Sequence, residues 1–177
     1  MNQKHQVGGN GKDGVKTKPG QKNYKSHELP SIKEILDSAS VKAPKLLPKA
    51  KSDDLALAQN MKAVLGEKNN YRLVHTPLKP VLITEKGLKQ ISEKRQAARE
   101  RYANFILPTL MKPNEIWLTA YEDGSLRRRF IKLFKGKKSM LVIARENVDG
   151  SLFWNAIPAQ ANYIDNQRIG VLLYKNY

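Results

Sequence analysis

Cysteine is absent from this 177-residue chain, which excludes a disulfide framework and a thiolate zinc site. Histidine is scarce: His5, His27 and His75 are the whole supply, and the last 100 or so residues must do any proton chemistry without one. No apolar run approaches the ~18 residues of a membrane span, and the amino terminus lacks the apolar core of a secretory leader, so neither is expected. Acidic side chains are few. There are 16 Asp and Glu against 32 Lys and Arg, a formal charge of +16 with a pI near 10.0. An excess of that size points to a polyanionic partner, nucleic acid ahead of an anionic membrane surface. It is shared evenly between residues 1–80 and 81–177.

The apolar content is concentrated late. Residues 1 to about 30 are rich in Gly, Lys, Asn and Gln, too polar to offset the entropy of ordering, and read as a basic, largely disordered tail. Its Gly-rich look has neither the preceding strand nor the Gly-Lys-Ser/Thr ending of a phosphate loop. Pro30-Ser31 opens a short helix with Ile32, Ile35 and Leu36 on one face. The stretch 41–51, with two prolines, reads as an extended linker. Ser52 caps a second helix whose apolar face is Leu55, Ala58, Met61, Val64 and Leu65, with Gly66 at C′. Tyr71–Val74 reads as a strand, and the proline-bearing joint at 77–80 as a domain boundary. Residues 1–80 are therefore expected to be a basic flexible region and 81–177 the compact domain. Thr84 caps a long helical region from Glu85 to about Leu107, closed by Pro108, with Gly87 and the polar centre as the places where it could divide into two helices. Short strands follow, with turns at Glu122-Asp123-Gly124, Gly136 and Asp149-Gly150. The expected fold is α+β: amino-terminal helices packed on one face of a four- to five-stranded antiparallel sheet.

Particular segments carry a resemblance: RERYANFILPTL (99–110) followed by NEIW (114–117), the basic strand FIKLF (130–134), VIARE (142–146), FWNAIP (153–158) and YIDNQRIGVLLYK (163–175). From about Val81 to Tyr177 the chain resembles the phage-associated nuclease domains of the barnase, EndoU, colicin and RelE-like superfamily. Such domains occur at the ends of phage head-morphogenesis proteins and of bacterial toxins. The resemblance implies the α+β fold above and metal-independent cleavage of RNA, with no cofactor.

That chemistry makes the RNA 2′-hydroxyl attack its neighbouring phosphorus. A proton must leave the 2′-oxygen, another must reach the departing 5′-oxygen, and the phosphorane charge must be balanced. Cations are abundant. Strand alternation puts Arg128, Phe130, Lys132 and Phe134 on one face, and Arg129, Ile131, Leu133 and Lys135 on the other. The site residues expected are Arg129 and Lys132 at the phosphate, on opposite faces unless a bulge intervenes, Asn155 as an orienting hydrogen bonder, Arg168 as a second cation, and Tyr174 nearby. Arg99, Arg101, Arg127, Arg128 and Lys135 are expected to bind the backbone. The resemblance places Gln90 where several members carry histidine, and Asn155 where many carry Ser or Thr. The remaining bases are Glu100, Glu115, Asp165, Tyr174 and His75. Glu115 reads first as an ion-pair residue, and Glu100 as the surface partner of nearby arginines.

The function expected is an RNA-cleaving effector, phage or toxin associated, with a cationic phosphate clamp. It would act in the cytoplasm of a target or host cell, delivered from a virion, a secretion system or a larger parent protein. An acidic immunity or inhibitor protein is the expected partner. The alternative, favoured by Gln90 and Asn155, is a catalytically inactive nucleic-acid-binding or virion structural protein of the same fold. Either way, RNA affinity should fall roughly 10³-fold or more between ~50 and ~200 mM salt, given about six phosphate contacts. A titration across that range checks this.

Overall fold

A computed structural model describes residues 14–93 and 97–177. Its centre is β5 (Ser139–Asn147), in which Met140 to Ala144 are all buried. A strand covered on both faces reads as a continuous apolar run, and SMLVIA is one. Around it forms a sheet of seven strands, ordered β1 (Tyr71–Val74), β2 (Val81–Thr84), β6 (Gly150–Ala159), β5, β4 (Leu126–Lys132), β3 (Glu115–Ala120) and β7 (Val171–Lys175). All neighbours are antiparallel except β2 and β6, which run parallel.

The first face of the sheet carries Ile116, Phe130, Met140, Val142, Ala144 and Phe153. Against it pack α2 (Asp53–Val64), α3 (Glu85–Ser92), a 3₁₀ helix (Arg99–Phe105) and α4 (Ile106–Met111). The second face carries Trp117, Ile131, Leu141, Ile143 and Ile157. It is covered by α1 (Ile32–Ala39), α5 (Ala161–Gln167) and the segment around Tyr24 and Leu29.

Helices thus cover both faces and the strands number seven, where the sequence pattern suggested one covered face and four or five strands. The two beyond that number are β1, read as a strand in the sequence but placed outside the compact domain, and β2, whose four residues give little periodic signal. The joint at 77–80 is the β1–β2 connection, so residues on both sides of it share one sheet. Residues 1–13 of the expected tail lie outside the described residues. The rest of that stretch lies along the sheet: Thr17 bridges Tyr121, Asn23 bridges Ile169, and Gln21 hydrogen-bonds the backbone of Ala120 in both directions.

Local signals act where expected. Ser31 and Glu34 close a capping box on α1, with Ile32 buried beneath it. Ser52 Oγ accepts from Leu55 N, Thr84 Oγ1 accepts from Gly87 N, and Gly66 takes φ +81° beyond α2. The apolar stripe of α2 is rotated from the expected one. Ala56, Asn60 and Val64 face inward and Leu55 is 55% exposed, because Asn60 donates to the buried Ser92 Oγ of α3. The long helix expected over 85–107 is broken. α3 stops at Ser92, Ala98 takes a left-handed φ of +46°, and Pro108 sits in the first turn of α4 rather than ending a helix. Glu100 is buried, accepting from Ala50 N, and not on a helix surface.

Gly170 has φ +107°, and a Cβ there would stand 2.1 Å from Leu118 O. Gly170→Ala should destabilise the fold by roughly 3 kcal/mol or more, since strain and backbone collision coincide. Chemical denaturation of the variant beside wild type measures this.

Candidate active site

Two cross-strand rows on the second face build the site. One runs Trp117, Arg129, Ile143, Asn155 across β3, β4, β5 and β6; the next runs Thr119, Arg127, Arg145, Leu152. Paired residues of neighbouring strands share a face, so Arg127, Arg129, Arg145 and Asn155 converge from three strands. Continuing the alternation of Trp117 and Thr119 past the end of β3 brings in Tyr121, which is buried. A bulge in β6 completes the set. Ile143 pairs Asn155 while Ala144 pairs Phe153, leaving Trp154 as the extra residue, so that both Trp154 and Asn155 serve this face.

Arg127 lies with its guanidinium carbon 4.1 Å from the Tyr121 ring centre and 5.4 Å from that of Trp154, and Arg145 stands 5.0 Å from Trp154. Asp123 bridges the two arginines, 3.6 Å from each. Hydrogen bonds from Ser125, and then the two guanidiniums, hold its carboxyl below the ordinary value. Arg129 donates to the Tyr121 hydroxyl at 2.8 Å and to Gln167 O at 2.9 Å. Arg99 arrives from the 3₁₀ helix. β2 pairs only the start of β6, at Ser151 and Leu152, and Arg99 reaches the later part of that strand, donating to Asn155 Oδ1 at 2.8 Å and towards Ala156 O at 3.5 Å. Burial lowers its pKa, opposed by Tyr163.

Tyr163 of α5 faces this group. Burial pushes its hydroxyl up to about 12, although the nearby Arg129 and Arg99 pull the other way. The hydroxyl has no hydrogen-bond partner among the described residues, and neither has Asn155 Nδ2 or Trp154 Nε1. Buried polar atoms are nearly always paired, and three without a partner among the described residues lie together on this arginine-lined face. The half-buried Arg99, Arg145, Trp154 and Tyr163 form its rim.

The residues singled out in the sequence fall into three places. Arg129, Asn155, Arg99 and Arg127 are together at this cluster. Lys132 is on the first face, as the regular β4 has no bulge to bring it to Arg129; it donates to Lys112 O at 2.6 Å, and burial followed by the Lys112 charge lowers its pKa. Tyr174 packs with the first-face core. Arg128 is on that face too, paired with Glu146, while Arg101 holds Leu47 O and Lys135 is exposed beyond β4. Arg168 is fully buried in a two-pronged pair with Glu115, at 2.8 and 2.6 Å. Its other donor contacts Pro30 O and Asp165 Oδ1. Glu115 and Asp165 are thereby occupied, and His75 is exposed on the approach to β2. Sequence reasoning passed over Tyr121, Asp123, Arg145, Trp154 and Tyr163. Alternation could have found Tyr121 and Arg145; nothing local signals the bulge at Trp154 or the docking of Tyr163.

Guanidiniums suit phosphate groups by their charge and their planar fork of donors. A family model described as phage-Barnase-EndoU-ColicinE5/D-RelE like nuclease2 matches residues 56–175. The chain belongs to that family and carries its nuclease domain. The match begins within α2, earlier than the 81 expected, and leaves α1 and the segment before it outside. No curated protein and no solved structure matches the chain at a significant level.

The Arg168–Glu115 pair is buried, so removing one partner strands the other charge. Arg168→Ala and Glu115→Gln should each cost about 3–5 kcal/mol, with the double variant less than additive. Denaturant midpoints of the three proteins check the prediction.

Proposed function

We propose that this nuclease domain is a metal-independent endoribonuclease, and that the arginine–tyrosine cluster is its active site. The observation that carries the reading is the unpaired, buried hydroxyl of Tyr163 set beside Arg99 and Arg129. In the reaction the RNA 2′-oxygen attacks phosphorus and loses its proton to solvent. Arg99 and Arg129 balance the phosphorane charge, and Tyr163 gives its proton to the leaving 5′-oxygen and recovers one from water. A 2′,3′-cyclic phosphate and a 5′-hydroxyl result. Asn155, already accepting from Arg99, turns its free amide hydrogens to a phosphate oxygen. Arg145, steered by Asp123, holds the adjoining backbone, with the buried charge of Arg127 behind it.

A tyrosine pushed up to about 12 stays protonated at neutral pH, which suits an acid and not a base. The second reading, a nucleic-acid-binding or virion structural protein without cleavage, is favoured by Asn155, whose Oδ1 holds Arg99 by a short contact a substrate would have to share. An acidic inhibitor over this face, and delivery into the cytoplasm of a target cell, accompany the enzyme reading. Among the described residues no helix is long and apolar enough to cross a membrane.

Tyr163→Phe should lower RNA cleavage by about 10² or more at unchanged RNA affinity, the usual worth of a positioned acid. The cleavage of wild type in chelator should show no alkaline fall near ~10, where an ordinary tyrosine ionises. Single-turnover cleavage of a labelled RNA across pH tests both. If wild type binds RNA and cuts none, the binding reading replaces this one.

A further inference from the structure

The second face of the sheet is only partly covered. α1, α5 and the segment before them lie over β3, β4, the earlier part of β5 and the later part of β6. The row of Thr119, Arg127, Arg145 and Leu152 continues past them, through Leu82 of β2 to Leu73 of β1. It therefore changes along its length from buried guanidinium to exposed apolar surface. Leu73 is 54% exposed and Tyr71, two residues back on the same face, 63%. Leu82 and Leu152 are half-buried. These leucines line a groove of about 420 Å³, with Asn147 and Asp149 of the β5–β6 turn at its end. Trp154 stands at the junction, with Arg145 and Arg127 over its ring.

We infer that this end of the sheet is a nucleobase shelf, which stacks unpaired bases of a single-stranded nucleic acid while the partly exposed Arg145 holds its backbone. The inference rests on the reading that the cluster beside it takes a phosphodiester. Three features commit the surface to that occupant. It carries exposed aromatic and apolar groups, Tyr71 and Leu73, at positions where a base would lie against a sheet, the arrangement of sequence-tolerant single-strand binders. It is continuous with the cations: Arg145 and Leu152 are paired neighbours, and the shelf extends roughly 15 Å from β5 to β1 at the ordinary strand spacing, within reach of a few nucleotides. Its polar end, an amide and a carboxylate, offers acceptors and donors to base edges. A duplex would keep its base faces stacked on each other and could not use the shelf.

The test uses the full chain and oligodeoxythymidylate, which lacks the 2′-hydroxyl and cannot be cut by the proposed chemistry, beside the same strand with abasic sites. Affinity is read by fluorescence anisotropy. Wild type should prefer the base-bearing strand. Tyr71→Ala combined with Leu73→Ser should weaken that strand about tenfold, leave the abasic strand unchanged, and keep the slope of affinity against salt, because no phosphate contact is lost. Tyr71→Phe should retain wild-type binding. Both altered residues are exposed, and circular dichroism establishes that the variants fold. Equal affinity of wild type for the two strands, or of the double variant and wild type for the base-bearing one, overturns the shelf. So does a failure of wild type to bind either strand. The shelf effect without RNA cleavage would leave the shelf standing and remove the enzyme reading; cleavage with no shelf effect would do the reverse.

Discussion

One buried guanidinium ties this molecule together. Arg168 lies between α5 and β7 with no exposure to water, and its charge can persist there only because every prong is met. Burial opposes its protonated form, and the hydrogen bonds and charge of Glu115 outweigh it, with Asp165 adding to them, so its pKa is raised. The same Glu115 accepts from Trp117 Nε1 and from the Tyr177 hydroxyl, and Asp165 also accepts from Ile32 N. Tyr24 lies over the guanidinium, 4.6 Å from ring centre to carbon. One charge therefore joins β3, the end of α5, the start of α1 and the last residue of the chain. None of these partners can move without exposing a buried ion, which makes the network an all-or-nothing clasp on one edge of the sheet.

The clasp matters to the site by what it frees. With Arg168 and Glu115 committed to each other, the second face keeps Arg99, Arg127, Arg129 and Arg145 for other work. One carboxylate among them, Asp123, is shared between Arg127 and Arg145. Four guanidiniums packed among Tyr121, Trp154 and Tyr163 repel one another, and stacking on rings offsets part of that. The polar atoms Tyr163 Oη, Asn155 Nδ2 and Trp154 Nε1 lie among these rings and guanidiniums without a partner among the described residues.

Much of the fold was legible in the chain, for reasons that can be named. The capping residues Ser31, Ser52 and Thr84 act through bonds to their own first turns. The turns at Asp123-Gly124 and Asp149-Gly150 depend on local backbone preference, and the alternation of β4 on a period of two. Less legible were the faces. α2 turned its buried stripe to satisfy Asn60, a partner 32 residues away in sequence. β4 and β5 were covered twice, which alternation alone cannot distinguish from once. Of the candidate cluster, Arg129 and Asn155 were singled out because polar residues inside apolar strands stand out. Arg168 stood out for the same reason and proved to be part of the clasp.

The sequence by itself determined where elements start and stop, the charge that implies a polyanionic partner, and the family segments from Arg99 to Lys175. Each is a property of neighbours along the chain or of composition. The tertiary structure alone decided which cations share a face, because that depends on register between strands, on the one extra residue at Trp154 and on the short reach of β2 along β6. It also decided which arginine lies in a buried ion pair and which lies among a ring and a carbonyl. Arg168 and Arg129 are alike in type and in burial, and only the presence of a matching carboxylate at hydrogen-bond distance separates them.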